Sequence, residues 1–464
     1  MGRLFGTDGI RGVANADLST ELVDRVGRAA VRVLVASGRG RFAVGRDPRI
    51  SGDLLEAALA AAICSAGADV LRLGVIPTPG VAYLAQALSV NAGIVISASH
   101  NPVEDNGVKF FADTGFKLSD AVEDAIEAAL DAAPGSARPT GIEVGRIRDV
   151  PDAAERYLAH LQTMARGRVD GWRVVVDCAN GATSAVAPAL WERLGAAVIP
   201  IHASPDGTNI NAGSGSTHPD VVQGAVVAHG ADLGFAHDGD GDRVIAADRH
   251  GHLIDGDAIM GIVAMHRHAR GDLPGALVVA TVMSNLGFEQ ALRAAGIRLD
   301  RVRVGDRYVL ERMLETGAQV GGEQSGHVLF LDRATTGDGL VTALQLVNVM
   351  LETGRPLEEL RAPFVRFPQV LLNVRVHNPG RWANDPEIAR AIERAQGDLR
   401  GRGRIVIRAS GTEPLVRVMT ECEDGAAADR IARELSELIG RRLGGTSPRP
   451  SPADPGDGPA AATS

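Results

Sequence analysis

Cysteine is scarce in this chain. The three present, Cys64, Cys178 and Cys422, stand far apart with no Cys-x-x-Cys spacing, which excludes a disulfide framework and a thiolate zinc centre. Positive charge is also in deficit: the net charge is −9, whereas nucleic-acid binders concentrate Lys and Arg. An anionic small substrate stays compatible with this balance if Arg and Lys are placed locally. No apolar run is long enough to span a bilayer. The start, Met1-Gly2-Arg3-Leu4-Phe5-Gly6, has no apolar signal core, and Gly6 stands where an N-myristoylation motif needs Ser or Thr. These absences point to a cytoplasmic protein with neither a nucleic-acid nor a membrane partner.

What is present is an ordinary globular composition, 45% hydrophobic and 23% charged, over 464 residues, long enough for three or four domains. Residues 42–74, 172–201 and 276–304 share one plan. Each has a β-branched strand, an Ala/Leu-rich helix and a second strand, the signature of a βαβ unit. Each unit then reaches a strand, a tight polar loop and a returning strand. From about Phe367 the pattern changes to alternating strands and two helices, a smaller α+β domain. The expected fold is therefore α/β: three similar mixed-sheet α/β domains plus a smaller C-terminal α+β domain around one central cleft. The boundaries read as 1–152, 153–258, 259–366 and 367–443. Residues 444–464 are rich in Pro, Gly, Ser and Ala and read as a disordered tail.

The polar loops carry the chemistry. In the first, Ile94-Val95-Ile96 ends in Ser97-Ala98-Ser99-His100-Asn101-Pro102, a buried strand opening into a turn. A serine hydroxyl there can attack or carry a group, and the imidazole of His100 can move protons. In the second, Asp238-Gly239-Asp240-Gly241-Asp242 sets three carboxylates on alternate residues to converge on a hard divalent cation. An EF-hand fails, because Arg243 and Arg249 occupy the positions of its glycine and glutamate and strands flank the loop. A phosphatase loop with Asp238 as nucleophile stays open, as does a solvated acidic turn. In the third, Glu323, Ser325 and His327 offer an acceptor, a hydroxyl and an imidazole. Near the C-terminus, Arg408-Ala409-Ser410-Gly411-Thr412-Glu413-Pro414 with Arg417 has the donors of a phosphate cradle. Arg11 in Thr7-Asp8-Gly9-Ile10-Arg11-Gly12 and Lys109 after Asn106-Gly107-Val108 can bring further cations to the same place.

The segments SASHNP, DGDGDR, GGEQSGH and RASGTEP, in that order, with FGTDGIRG at the start and DNGVK after the serine, resemble the α-D-phosphohexomutase superfamily. The likeness runs from Arg3 to about Arg442, and Ala409 is a small variation within it. The serine loop, GTDGIRG and Gln324 look most like the bacterial members that act on amino sugars.

The resemblance implies a phosphoserine enzyme with Ser99 phosphorylated and one Mg²⁺ held by Asp238, Asp240, Asp242 and a phosphate oxygen on Ser99. It implies glucosamine 6-phosphate as substrate, glucosamine 1,6-bisphosphate as activating intermediate and glucosamine 1-phosphate as product, feeding UDP-N-acetylglucosamine synthesis. Arg11, His100, Lys109, Arg243 and His327 would line the reacting phosphate. Glu323, Gln324 and Ser325 would contact the sugar, and Arg408, Ser410, Gly411, Thr412 and Arg417 the distal phosphate. A homodimer is the expected assembly to test, and a kinase or autophosphorylation the source of the first phosphate on Ser99. A non-catalytic ion or sugar-phosphate binder is the remaining rival.

Overall fold

The computed structural model describes residues 3–6, 8–130, 138–399, 402–410, 414–445 and 449–450. They fall into two compact units, Met1–Thr281 with Asp300–Arg361, and Val282–Leu299 with Ala362–Ser464.

Three sheets organise the first unit. One contains β1 (Ile10–Val13), β2 (Arg41–Arg46), β3 (Asp69–Val75), β4 (Ala92–Ile96), β5 (Asp105–Ala112) and β6 (Ile147–Asp149), in the order β1-β5-β4-β2-β3-β6. The next contains β7 (Arg173–Asp177), β8 (Ala197–Ile201), β9 (Leu233–His237), β10 (Val244–Asp248) and β11 (Leu253–Ile254), in the order β11-β10-β9-β7-β8. The third contains β12 (Leu277–Thr281), β13 (Arg298–Val302), β14 (Val320–Gly322) and β15 (Val328–Phe330), in the order β13-β12-β14-β15.

Four strands in each sheet repeat one order: β5-β4-β2-β3, β10-β9-β7-β8 and β15-β14-β12-β13. In every case the strand before the polar loop lies parallel to the first strand of the repeat, and the strand after the loop returns antiparallel. The repetition read from the sequence is therefore real. It makes the β4–β5, β9–β10 and β14–β15 loops topological equivalents.

The sequence explains why these strands hold the centre. Ala92–Ile96, Leu233–His237 and Leu277–Thr281 are buried at every residue, as expected of strands in parallel sheets covered by helices. In the first sheet, Val26 of helix Thr20–Leu34 and Leu55, Leu59 and Ile63 of helix Ser51–Ser65 share a core with Phe42, Val44, Ile94 and Ile96. No helix among the described residues is long and apolar enough to cross a membrane.

The second unit is an antiparallel sheet of β16 (Gln369–Arg375), β17 (Gly403–Ala409), β18 (Leu415–Cys422) and β19 (Arg449–Pro450), in the order β17-β18-β16-β19. Helices Pro386–Leu399 and Gly425–Leu443 contribute Ile388, Ile431, Leu435 and Ile439 to its core.

Two features go beyond the sequence reading. Helix Leu286–Ala294 packs into this second unit. Asn285 exchanges hydrogen bonds of 3.0 and 2.9 Å with the backbone of Phe367, and the amide of Leu286 donates to Glu421 at 2.6 Å. Periodicity reports that a helix forms, not which neighbour satisfies its end. The stretch after Gly444 is also not wholly without structure, because Asn373 and Leu372 of β16 pair with Arg449 and Pro450, covering an otherwise open edge. Residues 446–448 and 451–464 lie outside the described residues.

Packing is close where helix Thr20–Leu34 crosses helix Ser51–Ser65. A Cβ on Gly27 would lie 2.9 Å from the Cβ of Ala62 and 3.1 Å from a methyl of Leu59. Gly27→Val is expected to lower unfolding stability by about 1–3 kcal/mol, read by denaturant unfolding, despite valine's better helix propensity. An unchanged midpoint would mean that the two helices separate without cost.

Candidate active site

Ser99 follows β4 with φ of 54°, a left-handed conformation costing a non-glycine residue about 1–3 kcal/mol. The turn aims its side chain away from the strand, so that Ser99 Oγ donates to Asp238 Oδ2 at 2.6 Å. The ring Nδ1 of His100 lies 3.3 Å from the same hydroxyl. Arg243, then burial, then Arg11 push the His100 imidazole down to about 3, so it is neutral and able to accept.

The β9–β10 loop brings Asp238, Asp240 and Asp242 together, all buried, with one oxygen from each within 4.8 Å of the others. Asp238 is fully engaged: Oδ2 accepts from Ser99, and Oδ1 accepts from the amide of Arg243 at 3.1 Å. Asp240 Oδ2 accepts from Thr78 Oγ1 at 2.6 Å and from Lys109 Nζ at 3.0 Å. Asp240 Oδ1 and Asp242 Oδ1 are buried with no hydrogen-bond partner among the described residues. Buried carboxylate oxygens are costly when unmet, and hard oxygen donors so grouped fit a divalent cation. Gly239 is what lets the loop come close, because a Cβ there would lie 2.5 Å from the carbonyl oxygen of Ser99.

Cations surround the cluster. Lys109 Nζ also lies 2.9 Å from Asp8 and 3.9 Å from Asp242. Burial disfavours its charge, but Asp240, Asp8 and Asp242 outweigh burial and raise its pKa. Arg243, with Nε 3.9 Å from Asp242, is likewise held charged by Asp242 and Asp238 against the cost of burial. His327, from the β14–β15 loop, sits 3.5 Å from Asp242 and 3.6 Å from Asp306. Burial opposes its protonation, yet the two carboxylates raise its pKa to about 9.

Asp8, Arg11, Asp242, Arg243, Glu323 and His327 line one cavity of about 430 Å³, a volume suited to a small ligand. Ser99 and Lys109 are not among the lining residues and are buried, each 1% exposed. Glu323 accepts from the amide of Gly305 at 3.2 Å, with Ser325 Oγ 3.5 Å from its carboxylate. Gln324 donates to Asp255 at 3.2 Å, the residue capping helix Gly256–Ala269. A larger cavity of about 540 Å³ involves Arg166, Arg267, Arg270, Asp332 and Glu352. There each guanidinium already faces a carboxylate, a closed charge network.

In the second unit, Arg408 and Arg417 stand directly opposite each other on β17 and β18. Like charges at such a cross-strand pair repel, and an anion placed between them relieves the repulsion. The amide of Ser410 donates to the carbonyl of Leu415 at 2.9 Å. Gly411 and Thr412 lie outside the described residues.

The structure thus gathers Arg11, Ser99, His100, Lys109, Asp238, Asp240, Asp242, Arg243 and His327 in the first unit. Sequence reasoning missed Thr78, Asp8, Lys117 and Asp306. Lys117 pairs with Asp8 at 2.6 Å and with Asp306. Asp8 stood in a motif already singled out for Arg11; Thr78, Lys117 and Asp306 carried no local signal.

Profiles of the phosphoglucomutase/phosphomannomutase family match the chain in series: α/β/α domain I at residues 2–135, domain II at 155–251, domain III at 255–367 and the C-terminal domain at 371–438. The chain belongs to this family. Among its relatives, the phosphoglucosamine mutase of Pelotomaculum thermopropionicum is 56% identical over 443 residues, covering 95% of this chain and 98% of that protein. The phosphoglucosamine mutase of Moorella thermoacetica is 54% identical over 440 residues, 94% of this chain and 99% of that one. A phosphoglucomutase/phosphomannomutase family protein of Burkholderia thailandensis superposes with a TM-score of 0.79 at 26% identity, covering 96% of this chain and 98% of that chain.

Asp240→Asn is expected to weaken divalent-cation binding by at least roughly tenfold, the loss that even an outer-shell change causes at a metal site, with far-UV circular dichroism unchanged. Calorimetric titration with Mg²⁺ or Mn²⁺ reads it. Equal affinity in parent and variant would place the ion elsewhere.

Proposed function

We propose that the chain interconverts glucosamine 6-phosphate and glucosamine 1-phosphate as an intramolecular phosphotransferase of the isomerase class, with Ser99 carrying the phosphoryl group and glucosamine 1,6-bisphosphate as intermediate. One observation carries the reading: Ser99 Oγ is held 2.6 Å from Asp238, in a left-handed turn, beside two carboxylate oxygens that lack hydrogen-bond partners among the described residues. The name shared by the curated relatives supports the choice of substrate.

Transfer from phospho-Ser99 breaks the P–Oγ bond and forms a bond from phosphorus to O1 of glucosamine 6-phosphate; the O1 hydroxyl loses its proton and the released Oγ takes one up. The bisphosphate then presents its other end, the P–O6 bond breaks as phosphorus bonds to Oγ again, the Ser99 hydroxyl loses its proton and the released O6 takes one up. Phosphoryl transfer of this kind depends on positioning and charge neutralisation. Arg11, Lys109, Arg243 and His327 supply fixed positive charge, and neutral His100 is placed to accept a hydrogen bond from Oγ. Asp238, Asp240 and Asp242, with an oxygen of phospho-Ser99, would hold Mg²⁺, which when bound offsets the charge of the transferring group. Glu323 and Ser325 are proposed to grip sugar hydroxyls, and Arg408, Ser410 and Arg417 to bind a substrate phosphate. A cytoplasmic supply of UDP-N-acetylglucosamine goes with this reading.

The rival is a phosphatase with Asp238 as nucleophile. Both oxygens of Asp238 already accept hydrogen bonds, which suits holding better than attack.

The two readings differ in the covalent adduct. The purified protein is expected to carry a fractional gain of one phosphate in mass, stable to hydroxylamine as a phosphate ester is. Ser99→Ala should lack it and lose nearly all mutase turnover. A hydroxylamine-labile adduct persisting in Ser99→Ala would establish the acyl phosphate instead.

Gln324→Met removes an amide beside the sugar-binding loop. It is expected to reduce selectivity for glucosamine over glucose phosphate by about 1–3 kcal/mol, the value of a lost buried polar contact. An unchanged ratio of the two turnover rates would leave Gln324 only its bond to Asp255.

A further inference from the structure

Ser99 cannot keep its left-handed backbone unless the peptide groups on both sides are fixed. The guanidinium of Arg49, wholly buried, supplies half of that constraint. Its Nε donates to Asp47 at 2.9 Å, its Nη2 to the carbonyls of Ser99 and Asn101 at 2.9 Å each, and its Nη1 to the carbonyl of Pro102. Asn211, from the segment after β8, donates with both hydrogens of its side-chain nitrogen to the same two carbonyls, at 2.9 Å to Ser99 and 3.0 Å to Asn101. The amide of Ser99 is held separately. It donates to Ser97 Oγ at 2.9 Å, and that hydroxyl donates at 2.6 Å to the Asp47 oxygen already bound by Arg49. The circuit Arg49–Asp47–Ser97–Ser99 is thereby closed, and Asn211 locks it from the side of the acidic loop. Gly239 presses on the same junction: a Cβ there would lie 2.8 Å from the Asn211 amide nitrogen.

We infer that Arg49 and Asn211 are positioning residues that clamp the carbonyls of Ser99 and Asn101 from two different sheets and so set Ser99 Oγ against Asp238. Neither lines the 430 Å³ cavity. They act through the backbone of Ser99, so their loss slows phosphoryl transfer without weakening substrate binding. The inference rests on the reading of Ser99 as the phosphoryl carrier.

The test uses the full-length enzyme with Asn211→Ala, Asn211→Asp (isosteric but without donors) and Arg49→Lys, which keeps the charge and loses the fork. Expected are a fall in kcat of roughly 10- to 100-fold, the scale of a small misplacement of reacting atoms, and KM for glucosamine 6-phosphate within about twofold of the parent. Asn211→Asp should be no better than Asn211→Ala, the rate of Ser99 phosphorylation by the bisphosphate should fall in step with kcat, and the melting midpoint of the Asn211 variants should stay near the parent's. Parental kcat in Asn211→Ala or in Arg49→Lys overturns the clamp, as does a loss of kcat that merely follows a lowered melting midpoint. Ser99→Ala measured alongside separates the two claims. If it stays active the carrier reading fails; if it is inactive while Asn211→Ala turns over normally, only the clamp fails.

Discussion

Three carboxylates, from Asp238, Asp240 and Asp242, are held buried and within 4.8 Å of one another. At such separations each pair of charges repels by about 4 kcal/mol even at an effective dielectric of 20. The surroundings are arranged around that repulsion. Lys109 is brought in on β5 to within 3.0 Å of Asp240, Arg243 follows the cluster directly, and His327 is held cationic by Asp242 and Asp306. Burial strengthens each attraction as much as it strengthens the repulsion. Among the described residues two carboxylate oxygens still lack hydrogen-bond partners, so these residues balance the cluster only in part and leave it fit for a cation.

The threefold repetition makes this gathering possible. One strand order recurs in three sheets, so the loop after the third strand of each repeat emerges at an equivalent place. Different residue types on equivalent loops then yield a hydroxyl from the first, carboxylates from the second, and an imidazole with a cavity-lining carboxylate from the third. Close approach matters as much as topology. Gly239 lets the second loop reach the backbone of Ser99, and Gly337 leaves room for the His327 ring of the third, since a Cβ there would lie 2.4 Å from that ring.

Much of this was legible from the sequence. The β-branched runs marked the buried strands, the recurring strand–helix–strand plan marked the repeats, and the alternation of aspartate and glycine marked the cation cluster. These are local signals, governed by the period of the backbone and by how many like charges a short loop can tolerate. The grouping of helix Leu286–Ala294 with Phe367 and Glu421 was not legible, nor was the pairing of Arg449 and Pro450 with β16. Both depend on which distant backbone groups remain unsatisfied once the core has formed.

The sequence by itself determined the elements, their repetition and the residue types at each loop, because propensity, hydrophobic period and charge spacing act over a few residues. Only the tertiary structure decided that Ser99 meets Asp238, that Lys109 meets both Asp8 and Asp240, and that Arg49 and Asn211 close on the same two carbonyls. Those contacts join residues 50 to 139 positions apart. Hydrogen bonds and buried charge pairs have strict geometric requirements, and nothing in the local chain specifies their partners until the sheets have packed.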